Sequence, residues 1–470
     1  MAAQLERRNR AVQRVNRAAL KVAVIGGGLM GLATAWRLGA LGHRVTVYES
    51  APQVGGLATW HDYGAFVWDR FYHVILPGDA ALLNFVRELG LGDELRWVRS
   101  RTGYFVDGAF HGLSSNAEFL KFAPLSAWSK LRLAFTILYC ARLRDWQALE
   151  REPLEDFLVR LSGRATFDKF WKPLLLAKLG THYRRTSAVF IWTYIRRLYA
   201  ARDGAGRKEQ LGYVRGGYRR IFERLQQHIR AGGGEVRLQA AVESIAAAAG
   251  GGIELRCDGR TEHYDKVIAT TPVGLLRQLC DASLLALPPP DRDVEYLGVV
   301  CVAVLTRRPL TPYYVLNVAD DQVPFTGVIG MSTIVDTAET AGLHLTYLPK
   351  YVLGDDAMLQ QGDEAIGREF LAALRRMYPS FPVQDIVGVH VNRARRVQPL
   401  QVIGYSSLVP QPRTLHEDFL VLNTAQFVNN TLNNNEVIRS VEQFLADHAR
   451  QFATGQPRST AAVVPQVAAA

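Results

Sequence analysis

Lys21-Val-Ala-Val-Ile-Gly26-Gly-Gly28-Leu-Met-Gly31, followed by residues 32–41, Arg44-Val-Thr-Val-Tyr-Glu49 and Gly55-Gly56, is the stretch that decides the fold. Five residues rich in β-branched side chains predict a strand, and Gly26, Gly28 and Gly31 fall on the G-x-G-x-x-G spacing directly after it. The first glycine permits a tight turn, the second lets backbone approach a pyrophosphate, and the third lets the next helix pack closely on the strand. That helix, residues 32–41, would point its N-terminal N–H groups at the phosphates. Residues 44–48 read as a second strand, and Glu49 stands 23 positions after Gly26, where an acid accepts hydrogen bonds from ribose hydroxyls. Strand, turn, helix, strand and acid agree on a dinucleotide-binding βαβ unit, hence an α/β fold of Rossmann type.

The fingerprint alone does not separate NAD from FAD, but Gly55-Gly56-Leu57 just after Glu49 favours FAD. The run from Gly26 to Gly31, Glu49 and the glycine pair resembles the flavin amine oxidase superfamily, which includes protoporphyrinogen oxidases and phytoene desaturases. Two further segments extend the resemblance. Gly216-Gly217, the helical run 218–230, Glu235-Val-Arg-Leu238, Val242-Glu-Ser-Ile245 and Asp265-Lys-Val-Ile-Ala-Thr-Thr-Pro272 look like the middle flavin segment of that family, in which the residue at Val242 offers its backbone to the adenine. Phe419-Leu-Val-Leu-Asn423, then residues 429–435 and a helix from Glu436, resemble its closing segment, where a helix dipole faces the pyrimidine end of the flavin. The resemblance implies non-covalent FAD contacted by Gly26, Gly27, Gly28, Leu29, Met30 and Gly31, by Glu49 and Ser50, by Gly55, Gly56 and Leu57, by Val242, and by Asn423, Thr431 and Leu432. It departs in three places. Asn423-Thr424 replaces the usual Gly-Asp, the glycine of an Asp-x-Gly-x-His run is missing from Asp69-Arg-Phe-Tyr-His73, and no arginine precedes the glycine pair. The last cysteine is Cys301, so no residue is available for the C-terminal thioether that some relatives form with flavin.

Length and composition suit a globular chain of two or more domains: 470 residues, 48% of them hydrophobic. The expected organisation is a basic tail (1–20), a discontinuous Rossmann-type FAD-binding domain (21–110, 205–290 and 396–450), an inserted α+β substrate domain (111–204 and 291–395) and a disordered tail (453–470). Within the insert, residues 127–148, 153–161, 165–178 and 188–198 carry helical apolar spacing. Residues 299–305, 313–316, 328–331 and 344–348 read as strands of an antiparallel sheet beneath the flavin.

Cys140, Cys257, Cys280 and Cys301 are widely spaced, which suggests neither a disulfide framework nor a metal site and fits a reducing, cytoplasmic setting. No apolar run is long enough to span a bilayer. The arginine-rich residues 1–20 lack a secretory core and read as a basic tail, with an organelle transit peptide as the alternative. Residues 121–230 carry 23 Lys and Arg against 9 Asp and Glu, while residues 1–20 add +4 to a chain of net charge +11. Such a block suits an anionic partner: lipid headgroups, substrate carboxylates or a nucleotide-sugar pyrophosphate. It equally suits a solvated basic face, and no nucleic-acid-binding pattern accompanies it. Residues 128–146, with Lys130, Arg132, Arg142 and Arg144 among apolar side chains, leave two readings open, contact with the inner face of a membrane or packing on the protein.

No Ser-His-Asp set, paired carboxylates or zinc spacing is visible, as expected where a cofactor performs the hard step. Trp60, Phe71, Tyr72, Tyr313, Tyr314, Tyr347 and Tyr351 are the aromatic candidates for a substrate cavity, and His73 is the candidate proton relay beside it. The resemblance implies dehydrogenation of a bulky, largely apolar small molecule by hydride transfer to flavin N5. The alternatives are a flavin-dependent mutase of the UDP-galactopyranose mutase type, acting on a sugar nucleotide, and a flavin-binding scaffold without turnover.

Overall fold

The computed structural model describes residues 19–200 and 210–453, so the basic segment up to residue 18 and the tail from 454 onward lie outside the described residues. Lys21–Ile25 becomes the middle strand of a five-stranded sheet in the order Phe419–Val421, Lys266–Ala269, Lys21–Ile25, Arg44–Tyr48, Glu235–Arg237. Every neighbouring pair is parallel. Parallel sheets need cover on both faces, which is why these strands are almost continuously apolar. Val22, Val24, Val45, Val47 and Ile268 pack under the helices Leu29–Ala40, Tyr218–Ala231 and Asn434–Asp447. Ala23, Ile25, Val267 and Ala269 face the three-stranded layer Val242–Ala247, Ile253–Cys257, Arg260–Tyr264. One sheet is thus assembled from three distant pieces of chain, a Rossmann-type arrangement.

A second, seven-stranded sheet runs Ile386–Pro399, Tyr296–Thr306, His344–Leu353, Gly327–Gly330, Val315–Val318, Thr102–Val106, Ala109–Gly112. Its second strand, Tyr296–Thr306, is buried along its whole length. Alternate residues face opposite ways, as the strand period demands. Val300, Val302 and Val304 meet the helix Asp363–Met377, while Val299, Cys301 and Ala303 meet Tyr63, Phe66, Trp68 and Phe71 from the segment that follows the glycine pair.

Two expected boundaries move. Thr102–Val106 and Ala109–Gly112 belong to this sheet, not to the flavin piece 21–110, and Ile386–Pro399 runs through the boundary placed at residue 396. The sheet is also not wholly antiparallel, because Val315–Val318 lies parallel to Thr102–Val106 in the register Val315↔Thr102. Nothing local in either strand names a partner some two hundred positions away.

The helical insert follows the predicted spacing, except that the expected helix 127–148 is two helices, Ala127–Arg142 and Trp146–Arg151. The break is chemical: the Asp145 side chain accepts a hydrogen bond from the Ala148 N–H at 3.2 Å and starts the second helix afresh. Ala127–Arg142 buries Ser129, Leu133, Thr136 and Cys140, yet turns Trp128, Leu131, Phe135 and Leu138 outward at 66%, 60%, 54% and 42% exposure.

Asp69 joins the pieces. Its Oδ1 accepts the Tyr218 N–H at 2.9 Å, capping the helix Tyr218–Ala231, while its carbonyl accepts the hydroxyls of Tyr63 and Tyr347. A Cβ on Gly217 would sit 2.8 Å from that Oδ1, and Gly217 takes a φ of +73°. Burial raises the Asp69 carboxyl from 3.8 to about 8, although the Tyr218 N–H favours the ionised form. The folded chain therefore holds a proton that the unfolded chain releases near its ordinary value. The associated stability is complete below about 4 and declines as pH climbs through about 8. Asp69→Asn should flatten this part of the stability curve, read by urea unfolding across that window. An unchanged slope would show that Asp69 is ionised in the fold.

Candidate functional site

The site is built at the C-terminal ends of the parallel strands. Gly26 takes a φ of +110°, and its N–H donates to the Tyr48 carbonyl at 2.8 Å. A Cβ on Gly31 would lie 1.9 Å from the Gly26 carbonyl oxygen, so the helix Leu29–Ala40 packs on the strand as closely as backbone allows. Gly28 differs, because a Cβ there meets nothing nearer than the Gly56 Cα at 4.0 Å. That helix begins at Gly28 with no side-chain cap and no acid in its first turn, so its N-terminal N–H groups are left for a ligand. Leu29 and Met30 are buried at 5% exposure, which leaves their backbone as what they can offer.

Around this turn the other predicted residues gather. The Glu49 carboxylate accepts the Gly27 N–H at 2.7 Å and the Ala51 N–H at 2.8 Å, with the Ser50 hydroxyl 3.4 Å away. The Gly55 N–H donates to the Gly27 carbonyl at 2.9 Å, bringing the glycine pair and Leu57 beside the turn. The Gln239 and Ala240 N–H groups donate to the carbonyls of Ala51 and Glu49 at 3.0 and 2.9 Å, so Val242 is delivered half-buried to the same strand end.

In the closing segment, Asn423 is 2% exposed and consumed by backbone. Its Nδ2 donates to the Thr271 carbonyl at 3.0 Å and its Oδ1 accepts the Ala425 N–H at 3.1 Å. Its side chain is thus a splint between two strand ends. Thr424, Asn430 and Leu432 line a small cavity with Gln398, Gln401 and Phe427. Thr431 is buried just before Asn433, whose side chain caps the helix Asn434–Asp447 through the Glu436 N–H at 3.0 Å.

His73 lies 5.2 Å from the Tyr218 ring and donates from Nδ1 to the Phe71 carbonyl at 3.0 Å. Burial lowers its pKa to about 4, so the ring is neutral near neutral pH, with its proton at Nδ1 and an acceptor at Nε2. A larger cavity, about 330 Å³, lies between the closing segment and the helix Ala188–Ala200; Thr193, Arg196, Arg197, Asn430 and Asn433 are among its lining residues. The Arg197 guanidinium donates there to Asp79 Oδ2 at 3.1 Å. Among the described residues no cluster of His, Cys, Asp or Glu is arranged to hold a metal.

The family model for flavin containing amine oxidoreductases matches residues 29–421. The chain belongs to that family. Its cofactor is FAD, and the donor set fits: an open approach at Gly28, an uncapped helix N-terminus, and an acid at the end of the neighbouring strand. Among curated relatives, the chain is 24% identical over 307 residues to a 15-cis-phytoene desaturase of Arabidopsis thaliana, covering 59% of this chain and 51% of the desaturase. It is 26% identical over 166 residues to a mitochondrial protoporphyrinogen oxidase of Nicotiana tabacum, covering 34% and 33% of the two chains. It therefore spans about half, or less, of the length of the curated relatives it matches. Reduced UDP-galactopyranose mutase superposes over 93% of this chain and 97% of that one, with a TM-score of 0.72 at 17% identity, a likeness of fold alone.

Gln398 and Gln401 enter the site without a sequence motif, and Thr270 enters it from within the Asp265–Pro272 segment. The Thr270 N–H and hydroxyl both donate to the Ile25 carbonyl at 2.9 Å, and Gln401 Nε2 holds the closing loop through the Phe427 carbonyl at 2.8 Å. At Gly28 the backbone has a φ of −73°, which any residue adopts, and space for a side chain. Gly28→Val should therefore fold with near-parental stability yet purify without flavin, a contrast read from urea unfolding beside the visible spectrum. A yellow Gly28→Val protein would displace the pyrophosphate from this turn.

Proposed function

We propose that the protein is an FAD-dependent oxidoreductase that dehydrogenates a bulky, largely apolar small molecule. The observation that carries this reading is the row of half-buried apolar and aromatic side chains, among them Tyr72, Val74, Tyr351 and Val397, laid over the sealed core of Val299, Cys301, Ala303, Leu345 and Tyr347 on the seven-stranded sheet. Such a surface binds by burial, worth about 0.8 kcal/mol per methylene, and orients a substrate by shape more than by charge. FAD, when bound, supplies at N5 an acceptor for a hydride from the substrate. Gly26–Gly31 and the Leu29–Ala40 helix N-terminus would hold the pyrophosphate, Glu49 with Ser50 the adenosine ribose, and the Val242 backbone the adenine. Gly55, Gly56 and Leu57 would close over the pyrophosphate side, while Thr431 and Leu432 would meet the pyrimidine end of the ring. His73 would serve as a hydrogen-bond acceptor at Nε2, with its proton kept at Nδ1 by Phe71.

One observation favours a second reading, a flavin-dependent mutase acting on a sugar nucleotide. The cavity of about 330 Å³ beside the closing segment is lined by Arg196, Arg197, Asn429, Asn430 and Asn433 together with Asp79 and Glu436, a polar set suited to sugar hydroxyls, with Arg196 as a cation for phosphate. For the oxidoreductase, anaerobic mixing with a panel of amines, polyenes, porphyrinogens and sugar nucleotides should bleach the oxidised flavin spectrum with an apolar member and consume one acceptor per turnover. Turnover of a sugar nucleotide only after pre-reduction, with no acceptor consumed, would replace this reading by the mutase.

The outward stripe Trp128, Leu131, Phe135 and Leu138, flanked by exposed Lys121, Arg142 and Arg144, supports peripheral contact with an anionic membrane surface. Among the described residues no helix is long and apolar enough to cross a bilayer. The protein should sediment with phosphatidylglycerol vesicles more than with phosphatidylcholine vesicles, and Leu131→Glu with Phe135→Glu should weaken this by at least about tenfold. Equal sedimentation of parent and double variant would remove the membrane from the account.

A further inference from the structure

Lys178 is a half-buried cation outside every contact described above. It sits on the helix Lys172–Leu179 of the insert, with its Nζ 3.3 Å from the centroid of the Tyr351 ring. No carboxylate lies within ion-pairing distance of it among the described residues, whereas Arg160, Arg164, Arg185, Arg197 and Arg220 of the same basic block are all paired. An ammonium taken out of water is costly unless something compensates it, and burial lowers the Lys178 pKa to about 7.

Polar groups gather around it. The Tyr351 hydroxyl bonds the Tyr72 hydroxyl at 2.7 Å, and the Tyr194 hydroxyl, near enough to both to interact electrostatically, donates to Gln398 Oε1 at 3.1 Å. Gln398 lines the small cavity with Thr424, Asn430 and Leu432 of the closing segment. Lys178, Tyr72, Tyr194 and Tyr351 are each half-buried, although Cys301, Leu348 and Leu179 close by on the same sheet and helix are sealed at 0–1% exposure. These four side chains, drawn from separate parts of the chain, therefore form one half-buried cluster. At one end of that cluster Tyr194 reaches Gln398 beside the closing segment, and at the other Lys178 stands over the Tyr351 ring.

We infer that Lys178 is a specificity-determining residue that docks a carboxylate at the far end of an otherwise apolar substrate, holding the reactive carbon toward the closing segment. The hydroxyls of Tyr72 and Tyr351 complete the seat, one donating to the other and leaving a proton free to reach a carboxylate oxygen. This rests on the reading of the aromatic sheet face as the substrate wall, and its test separates the two.

The probes are laurate and 1-dodecanol, which share a chain and differ in headgroup, titrated calorimetrically into the FAD-loaded protein. Laurate should bind at least tenfold more tightly than dodecanol to the parent. Lys178→Met should lose that preference while binding dodecanol as before and keeping the parental flavin spectrum, and Lys178→Arg should restore most of it. In parallel, laurate but not dodecanol should shield Lys178 from acetic anhydride, read by peptide mass spectrometry, a measurement that needs neither variant to fold. Equal affinities for the two probes in the parent, or a laurate preference surviving in Lys178→Met, would overturn the assignment. Failure of both probes to bind, with Lys178 acetylated equally in their presence, would overturn it together with the apolar-wall reading.

Discussion

The contact on which the structure depends is the one between the Gly26 carbonyl and the Cα of Gly31, where a single added carbon would stand at 1.9 Å. It sets the helix Leu29–Ala40 hard against the first strand, and so places that helix's unpaired N–H groups at the strand's end. A helix N-terminus carries about half a positive charge, and only this close packing brings it to where the neighbouring strand presents Glu49. A helix N-terminus at one side and an acid at the other follow from one steric fact.

The remaining pieces are arranged to complete that corner without crowding it. Thr270 braces the turn from the next strand, Gly55 reaches the Gly27 carbonyl from the far side, and Gln239 and Ala240 tie the middle segment to Glu49 and Ala51. Asn423 makes three hydrogen bonds to the backbone and side chains of its own corner, so it stabilises the closing segment.

The two sheets divide the labour by polarity. The five-stranded sheet is apolar inside and offers backbone donors at one end, whereas the seven-stranded sheet offers a side-chain wall of aromatics and aliphatics. Asp69 couples them: its side chain caps a helix of the first, and its carbonyl takes the Tyr347 hydroxyl from the second. An acid so enclosed holds its proton far above the usual carboxylate range, which makes this joint a neutral hydrogen-bonding splint instead of a buried charge.

Much of this corner was legible in the chain because its chemistry is local: glycine at 26 and 31 answers to backbone geometry within one turn, and Glu49 lies one strand away. The helices of the insert were legible for the same reason, since apolar spacing is a local signal. The placement of Thr102–Val106 in the far sheet, the outward turn of Trp128, Leu131, Phe135 and Leu138, and the half-buried setting of Lys178 were not legible. Each depends on which surface another part of the chain already covers. Sequence by itself determined that a dinucleotide turn forms. Only the tertiary structure decided what stands opposite it, because strand partners and unpaired charges are settled by contacts between residues hundreds of positions apart.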